Sequence, residues 1–462
     1  MSLEEVVARR VWGFGGVLLF IITISEALGA TPHYVFAHYM VAFATYGETA
    51  EGYKREIQEA QGAGIDGFVL NVGAWDNVQT YYKTRVGLIY DAAAQLGTGF
   101  KLFFSVDYTG TTNIVDMVRT YANRTNSFRY QGKVVLSSFG ENDTPSTGFA
   151  GVNWTNLVIP QLASNGVSVY FVPHFWPDPI HELPTYSDAQ SILQKYGNLL
   201  DGLFLFGAAG LPYQLAQCNS NYTLAVHQAG KISMASVTPH YWGFKQYSIG
   251  RRYFEFDGGE GLALQWQSIM TNQPDWVEIV TWNDFNESTY SSPVADPGQY
   301  FSELVSPRRY CHSGYLELSR RFISWYKNGQ QPGIDSDALY YFYRTHPKSA
   351  VALNTNDVPV TWFIGNAQDT LYTTVFLVSS AQLEIDSGLT STTNSLPAGM
   401  STVRTPFIPG PQKLTLSRGG SQVLTVKGPD IQTNIQVYDF FPASGFAYGK
   451  PIPPTNVRAT GP

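Results

Sequence analysis

The chain has 462 residues, room for one large domain and a smaller one. Charged residues make up only 14% and aromatics 15%, with a formal charge of −7, and no basic block supports a nucleic-acid partner. Few charges beside many Tyr, Trp and Gly fit an exported protein that handles a neutral ligand, or a large core that absorbs some of those rings.

Residues 1–30 read as a secretory signal. Arg9 and Arg10 precede an apolar run from Val11 to Ile24, and Ala27-Leu28-Gly29 supplies small residues for cleavage. The run is short for a membrane span, so no stable membrane association is expected; an uncleaved anchor is the alternative. The sequons at Asn123, Asn142, Asn153, Asn221 and Asn286 fit export, which makes the expected location extracellular or cell wall. Cys218 and Cys311 are the only cysteines, and in an exported chain they are expected to pair. No Cys/His cluster has metal-site spacing.

From Val35 to Phe43 an apolar strand carries His38. An amphipathic helix follows over Thr49–Gly64, opened by Thr and Glu. The alternation then repeats. Strands are predicted at Gly64–Val72, Phe100–Asp107, Lys133–Phe139, Ser168–Phe175, Gly202–Gly207, Lys231–Val237 and Trp276–Thr281. Helices are predicted at Thr80–Leu96, Thr112–Asn123, Trp154–Asn165, Gln214–Gln228 and Gly259–Thr271, with Tyr315–Asn328 closing the set. Eight strand–helix alternations over roughly 290 residues match a (β/α)8 TIM barrel, residues 31–332, better than an open sheet.

Composition changes after Asn328-Gly-Gln-Gln-Pro-Gly333. Short alternating runs at Leu339–Tyr343, Val360–Ile364, Thr370–Val378, Lys413–Leu416, Gln422–Val426 and Asn434–Tyr438 predict a C-terminal β-sandwich over 333–462.

Polar and aromatic residues gather at or just beyond the strand C-termini, the face on which such barrels do chemistry. They are His38, Asn71, Trp75, Asp76, Asp107, Tyr108, His174, Trp176, His240, Trp242, Asp284 and Glu287. The densest stretch is Trp282-Asn283-Asp284-Phe285-Asn286-Glu287, after the eighth strand. Two carboxylates three apart, amid amides and aromatics, suit sugar chemistry: rings stack on sugars, amides bond hydroxyls, and two acids cleave a glycosidic bond. Taken alone, Asp284 and Glu287 could equally cap the next helix.

At these residues the chain resembles the α-1,3-glucanases (mutanases) of glycoside hydrolase family 71. The resemblance lies in Val35-Phe-Ala-His-Tyr-Met40, Gly64-Ile-Asp-Gly-Phe-Val-Leu-Asn71, Ser105-Val-Asp-Tyr108, His174-Phe-Trp176 and Trp282-Asn-Asp-Phe-Asn-Glu287, and covers roughly residues 32–450. It implies a secreted inverting hydrolase of α-1,3-glucan with a barrel and a β-sandwich, whose essential acids fall on Asp284 and Glu287, with a further acid at Asp107. Glu287 is then expected as general acid and Asp284 as general base, with the reverse order as alternative. Trp75, Trp176, Trp242 and Trp282 are the expected stacking rings. His38, Asn71, His174, His240 and Asn283 are the expected partners of hydroxyls, with Asp76 and Tyr108 beside them. The reaction needs no metal or organic cofactor, and a monomer with a polysaccharide substrate is expected. A hydrolase of another glucan linkage, or a non-catalytic wall-glucan binder, are the competing readings.

Overall fold

The computed structural model describes residues 33–107, 113–140, 142–143, 151–244, 251–294 and 312–449. In chain order the first part runs β1 (Tyr34–Met40), α1 (Ala50–Gly62), β2 (Gly67–Val72), α2 (Tyr81–Leu96), β3 (Lys101–Asp107), α3 (Ile114–Tyr121), β4 (Arg129–Tyr130) and β5 (Lys133–Phe139). It continues with α4 (Ile159–Ser164), β6 (Val169–Phe171), α5 (Tyr186–Tyr196), β7 (Gly202–Phe204), α6 (Pro212–Gln228) and β8 (Ile232–Val237). A hairpin of β9 (Tyr241–Trp242) and β10 (Arg251–Phe254) precedes α7 (Gly258–Asn272), β11 (Trp276–Ile279) and α8 (Ser313–Asn328).

These strands form one nine-stranded sheet, ordered β4-β5-β3-β2-β1-β11-β8-β7 with β6 beside β5. The short β4 is antiparallel, and the others run parallel. The sheet curls until β6 meets β7. There Asp201 N donates to Phe171 O and Phe204 N to Pro173 O, both at 2.9 Å. Parallel strands sandwiched between layers are buried on both faces and largely apolar, and these strands are buried throughout most of their length.

Alternation sorts the residues. Phe36, Val69, Phe103, Val135, Tyr170, Phe204, Met234 and Trp276 share one buried cluster inside the curl. Two residues further along, on the same face, stand His38, Asn71, Ser105, Ser137, Ser236 and Glu278, with Val172 and Phe206 the two apolar exceptions. The interior is therefore apolar towards the strands' N-terminal end and polar towards their C-terminal end. Polar groups at that depth need partners, and two of them pair: His38 Nδ1 lies 2.6 Å from Glu278 Oε1.

The helix α5 was not among the elements expected, although its signal was local. Thr185 and Asp188 form a reciprocal capping box at its start. The β9–β10 hairpin was likewise not expected.

The remaining chain forms β12 (Ala338–Arg344), β13 (Val360–Trp362), β14 (Thr370–Leu377), β15 (Ala381–Ser387), β16 (Thr390–Leu396), β17 (Gly399–Pro406), β18 (Gly410–Arg418), β19 (Ser421–Ile431) and β20 (Pro442–Tyr448). Two four-stranded antiparallel sheets result, β17-β14-β12-β20 and β16-β15-β18-β19. Leu339, Leu371 and Val375 of the first share a cluster with Leu383, Ile385, Leu414 and Leu416 of the second. The run at Val360–Ile364 leaves these sheets: β13 pairs in parallel with β10. The run at Asn434–Tyr438 is no strand, for Ile435 makes only an isolated bridge to Ala352. The polar β16 escaped the pattern because no large apolar residue marks an inner face before Leu396.

The outer face of the first sheet lies against α7 and α8. Backbones approach closely there. A Cβ on Gly259 would sit 2.4 Å from Thr374 Oγ1 and 2.7 Å from Phe342 Cε2, and Gly258 has φ +53°. Arg404 adds ion pairs to Asp257 (3.1 Å) and Glu260 (2.8 Å).

Candidate active site

The segment after β11 abandons strand geometry at once. The Val280–Thr281 peptide is cis. Thr281 Oγ1 accepts from Asp284 N (2.8 Å), and Asp284 Oδ1 accepts from Asn286 N (2.9 Å) and Glu287 N (3.1 Å). These bonds wind residues 281–287 into a turn that begins earlier than Phe285-Asn286 and puts Asp284 and Glu287 into electrostatic contact. The far side of the turn is pinned by the hairpin, with Trp242 N donating to Glu287 O and Phe244 N to Asn286 O, each at 2.9 Å.

Both carboxyls are held above the ordinary carboxylate range. For Asp284 the main cause is burial, followed by the Glu287 charge, with the backbone donors from Glu287 and Asn286 opposing and the Asp107 charge adding a little. For Glu287 burial again leads, opposed by the Arg252 charge and the Tyr241 hydrogen bond. Tyr241 donates its hydroxyl proton to Glu287 Oε1 (3.1 Å), and Arg252 Nη2 donates to the Tyr241 oxygen (2.7 Å). Arg252 Nη1 also reaches Glu182 Oε1 at 2.6 Å. Two carboxyls with raised affinity for protons, one steadied by a Tyr–Arg chain and the other not, suit a site needing one acid and one base.

Asp107 joins this group. Its Oδ2 accepts from Asn71 Nδ2 at 3.1 Å, and its charge reaches Asp284. His38, Asn71 and His174 lie in or beside the polar upper layer of the interior. His174 is pushed down to about 4 by burial and is neutral; its Nδ1 lies 3.3 Å from Phe204 O. Trp176 stacks edge-on to His174 (4.7 Å) and is half-buried. Asn142 grips its backbone at both N–H and C=O, 2.9 Å each, so the second sequon's Asn is buried and occupied.

Other expected site residues stand elsewhere. Trp282 is fully buried, faces Phe68 and donates its indole N–H to Glu56 Oε2 (2.8 Å), so no sugar face can reach it. Trp242 is equally buried, against Phe440 and Phe441. Trp75 packs on Phe104 and Tyr121 and bonds Asp116 (3.1 Å), filling the space beside α3. Asn283 clamps strand β1: its Oδ1 accepts from Met40 N (2.7 Å), and its Nδ2 donates to Phe43 O (2.8 Å) and Met40 O (3.2 Å). The side chain is fully buried, so no hydroxyl reaches it. His240 lies among Tyr253, Phe256 and His312, bonded to Ser288 Oγ at 3.0 Å, and burial holds it neutral. Asp76 spends its Oδ1 on Val78 N and Gln79 N, 2.8 Å each, which also lowers its pKa. Tyr108 lies outside the described residues.

Sequence reasoning missed Tyr241, Arg252 and Glu278. Glu278 had a signal, being the sole acid in a buried strand. Tyr241 and Arg252 had none, since only the hairpin brings them to Glu287. Cys218 is a free buried thiol on α6, and its expected partner Cys311 lies outside the described residues, as do residues 1–30. Among the described residues no cluster of three or more His, Cys, Asp or Glu could hold a metal ion.

Residues 31–452 match Glycosyl hydrolase family 71. A glucan endo-1,3-alpha-glucosidase of Schizosaccharomyces pombe is 29% identical over 447 residues, covering 94% of this chain and 99% of the relative. A mutanase of Penicillium rubens is 27% identical over 428 residues, covering 88% and 87%. An ascus wall endo-1,3-alpha-glucanase of Schizosaccharomyces pombe is 29% identical over 399 residues, covering 81% and 86%. Among solved structures, an endo-alpha-mannosidase of family 99 from Bacteroides thetaiotaomicron aligns with 64% of this chain and 98% of its own, at 14% identity and TM-score 0.46. With the match spanning nearly the whole sequence, this chain belongs to glycosyl hydrolase family 71 and is a glycoside hydrolase.

Proposed function

We propose that this hydrolase cleaves α-1,3-glucan outside the cell or in the wall, with inversion, using Asp284 and Glu287 as its acid–base pair. The fold that carries this reading is a (β/α)8 barrel followed by a β-sandwich, acting as a monomer. The observation behind it is the turn 281–287, which sets two buried carboxyls of raised pKa together at the C-terminal end of β11 in a chain of this family. In an inverting reaction one carboxyl protonates the leaving oxygen. The other takes a proton from water as that water attacks the anomeric carbon from the opposite face. Asp107, held by Asn71, orients the sugar or supports Asp284. Trp176 offers the ring face, and the polar interior layer of His38 and His174 closes the floor.

The sequence reading makes Glu287 the acid. The charges favour the reverse. Arg252 and Tyr241 stabilise ionised Glu287, whereas Asp284 feels two carboxylates, Glu287 and Asp107, that favour its protonated form. A substrate with an activated leaving group separates the two orders. The variant lacking the acid keeps its rate on such a substrate, and the variant lacking the base loses it.

The proposal is tested by reducing-sugar release from α-1,3-glucan and β-1,3-glucan, with proton NMR of the first product. Release from the α-1,3 polymer with an initial β-anomer is expected. An initial α-anomer would make one carboxyl a nucleophile, and release only from the β-1,3 polymer would overturn the substrate.

A further inference from the structure

A second cleft is lined by His181, Glu182, Leu211 just before α6, Phe254 of β10, Phe363 and Asn366, and Arg252 pairs with its Glu182. Phe363 is 46% exposed, yet its ring lies on Phe254 with centroids 4.7 Å apart and planes 26° from parallel. Its neighbour Trp362 is 52% exposed. Single exposed rings need no explanation. Here two are consecutive, and Phe363 sits at φ +64°, a left-handed conformation that bulky residues rarely adopt. The surrounding fold holds a ring outward at a conformational cost, which is the kind of feature that marks binding surfaces.

This cleft shares a wall with the carboxylate site. Trp362 is the register partner of Arg252, and Phe254 that of Tyr241. Trp242, in the same strand as Tyr241, bonds the backbone of Glu287. Three strand spacings of about 4.8 Å therefore separate Trp362 from Glu287, roughly 14 Å. Arg252 bridges directly, from Glu182 in the cleft to Tyr241 at Glu287. A distance of that size is spanned by several linked sugars rather than one.

We propose that this cleft, with Trp362 on its rim, is a distal binding surface for the polysaccharide chain whose scissile bond lies at Asp284 and Glu287; the proposal rests on the glycosidase reading above. Flat ring faces stack against the C–H faces of sugars, while His181, Glu182 and Asn366 can bond hydroxyls. Among the described residues that line the cleft there is no Lys or Arg, and the nearby Arg252 is paired with Glu182, which suits a neutral glycan. The strand β13 that carries the platform belongs to the C-terminal region of the chain but hydrogen-bonds to the hairpin of the catalytic part. The C-terminal region thereby contributes directly to substrate capture.

The test compares Trp362→Ala, Phe363→Ala and the double variant with the parent, each in the Glu287→Gln background, for binding to soluble α-1,3-, β-1,3- and α-1,4-glucans and to short α-1,3-oligosaccharides. Affinity for the favoured polymer is expected to fall about tenfold, with the loss on short oligosaccharides at least several times smaller. Trp362→Phe, which keeps a ring, recovers most of it. In the active enzyme the KM for polymer rises while kcat holds. Unchanged affinity for every glucan, or equal losses on polymer and short oligosaccharide, overturns the distal surface. The same follows if the variants instead lose only a protein partner. If the parent fails to cleave α-1,3-glucan, the substrate reading falls, and the binding series across the other glucans still decides the cleft. Trp362→Ala alone, at an exposed position, carries the test if the double variant does not fold.

Discussion

The two carboxyls differ in their surroundings, and that difference can be read from outside. Removing either one, as Asp284→Asn or Glu287→Gln, is expected to lower turnover on glucan by about 10²-fold or more with the fold kept. Near-parental turnover in either variant would remove that residue from the mechanism. Tyr241→Phe is more informative. The hydroxyl now favours ionised Glu287, so deleting it raises the Glu287 pKa. One limb of the kcat/KM profile must then move to higher pH. If Glu287 is the base the acid limb moves, and if it is the acid the alkaline limb moves. The pair titrates together, so the limb that moves further carries the assignment. A profile that moves in neither limb would sever Tyr241 from the chemistry.

At the scale of an element, α1 carries an unexpected acid on its buried face. Glu56 accepts from the Tyr39 hydroxyl (2.9 Å) and the Trp282 indole (2.8 Å), joining α1 to β1 and to the turn that holds Asp284. Burial pushes it up to about 8 from an ordinary 4.5, so the folded protein keeps a proton there that the unfolded chain gives up. A raised folded value means that its stabilisation is full below about 4.5 and is lost as pH rises towards 8. The thermal midpoint is therefore expected to fall between pH 5 and pH 8, and Glu56→Gln to flatten that fall; an identical slope in the variant would refute it. Trp282→Phe removes one donor from this buried carboxyl and is expected to cost about 1–3 kcal/mol in chemical denaturation, an effect on stability rather than on sugar stacking.

For the whole molecule, the parallel sheet with its helices and the two antiparallel sheets share apolar core. Ala338, Tyr340, Phe342, Tyr372 and Phe376 belong to the same cluster as Leu316, Leu318 and Phe322 of α8 and Leu262 of α7. Residues 33–332 expressed alone would leave that face of α7 and α8 bare. They are expected to aggregate or to lose cooperative melting, as judged by size exclusion and circular dichroism. A soluble, sharply melting fragment would show the two parts to be separable. Gly259→Ala tests the same contact more gently, since its new methyl must displace Thr374 or Phe342, at a cost of about 1–3 kcal/mol. Among the described residues no helix is long and apolar enough to cross a membrane.

The alternation of buried strands with amphipathic helices, and the acids Asp284 and Glu287 just beyond the last strand, were legible in the sequence. Periodicity and strand ends are local properties, written in neighbouring residues. So was the placement of His38 and Asn71 at the C-terminal ends of their strands. Local pattern could not say which way a large ring turns at a strand's end. Trp282, Trp242 and Trp75 all stood where a platform was wanted, yet each turned into a core built by residues far along the chain. Nor could it bring Tyr241 and Arg252 to Glu287, or His38 to Glu278 across 240 residues. Those meetings depend on how the sheet curls and on which segments pack against it. A carboxyl's proton affinity follows from the burial and neighbouring charges that the packing supplies, so only the tertiary structure decided how Asp284 and Glu287 differ.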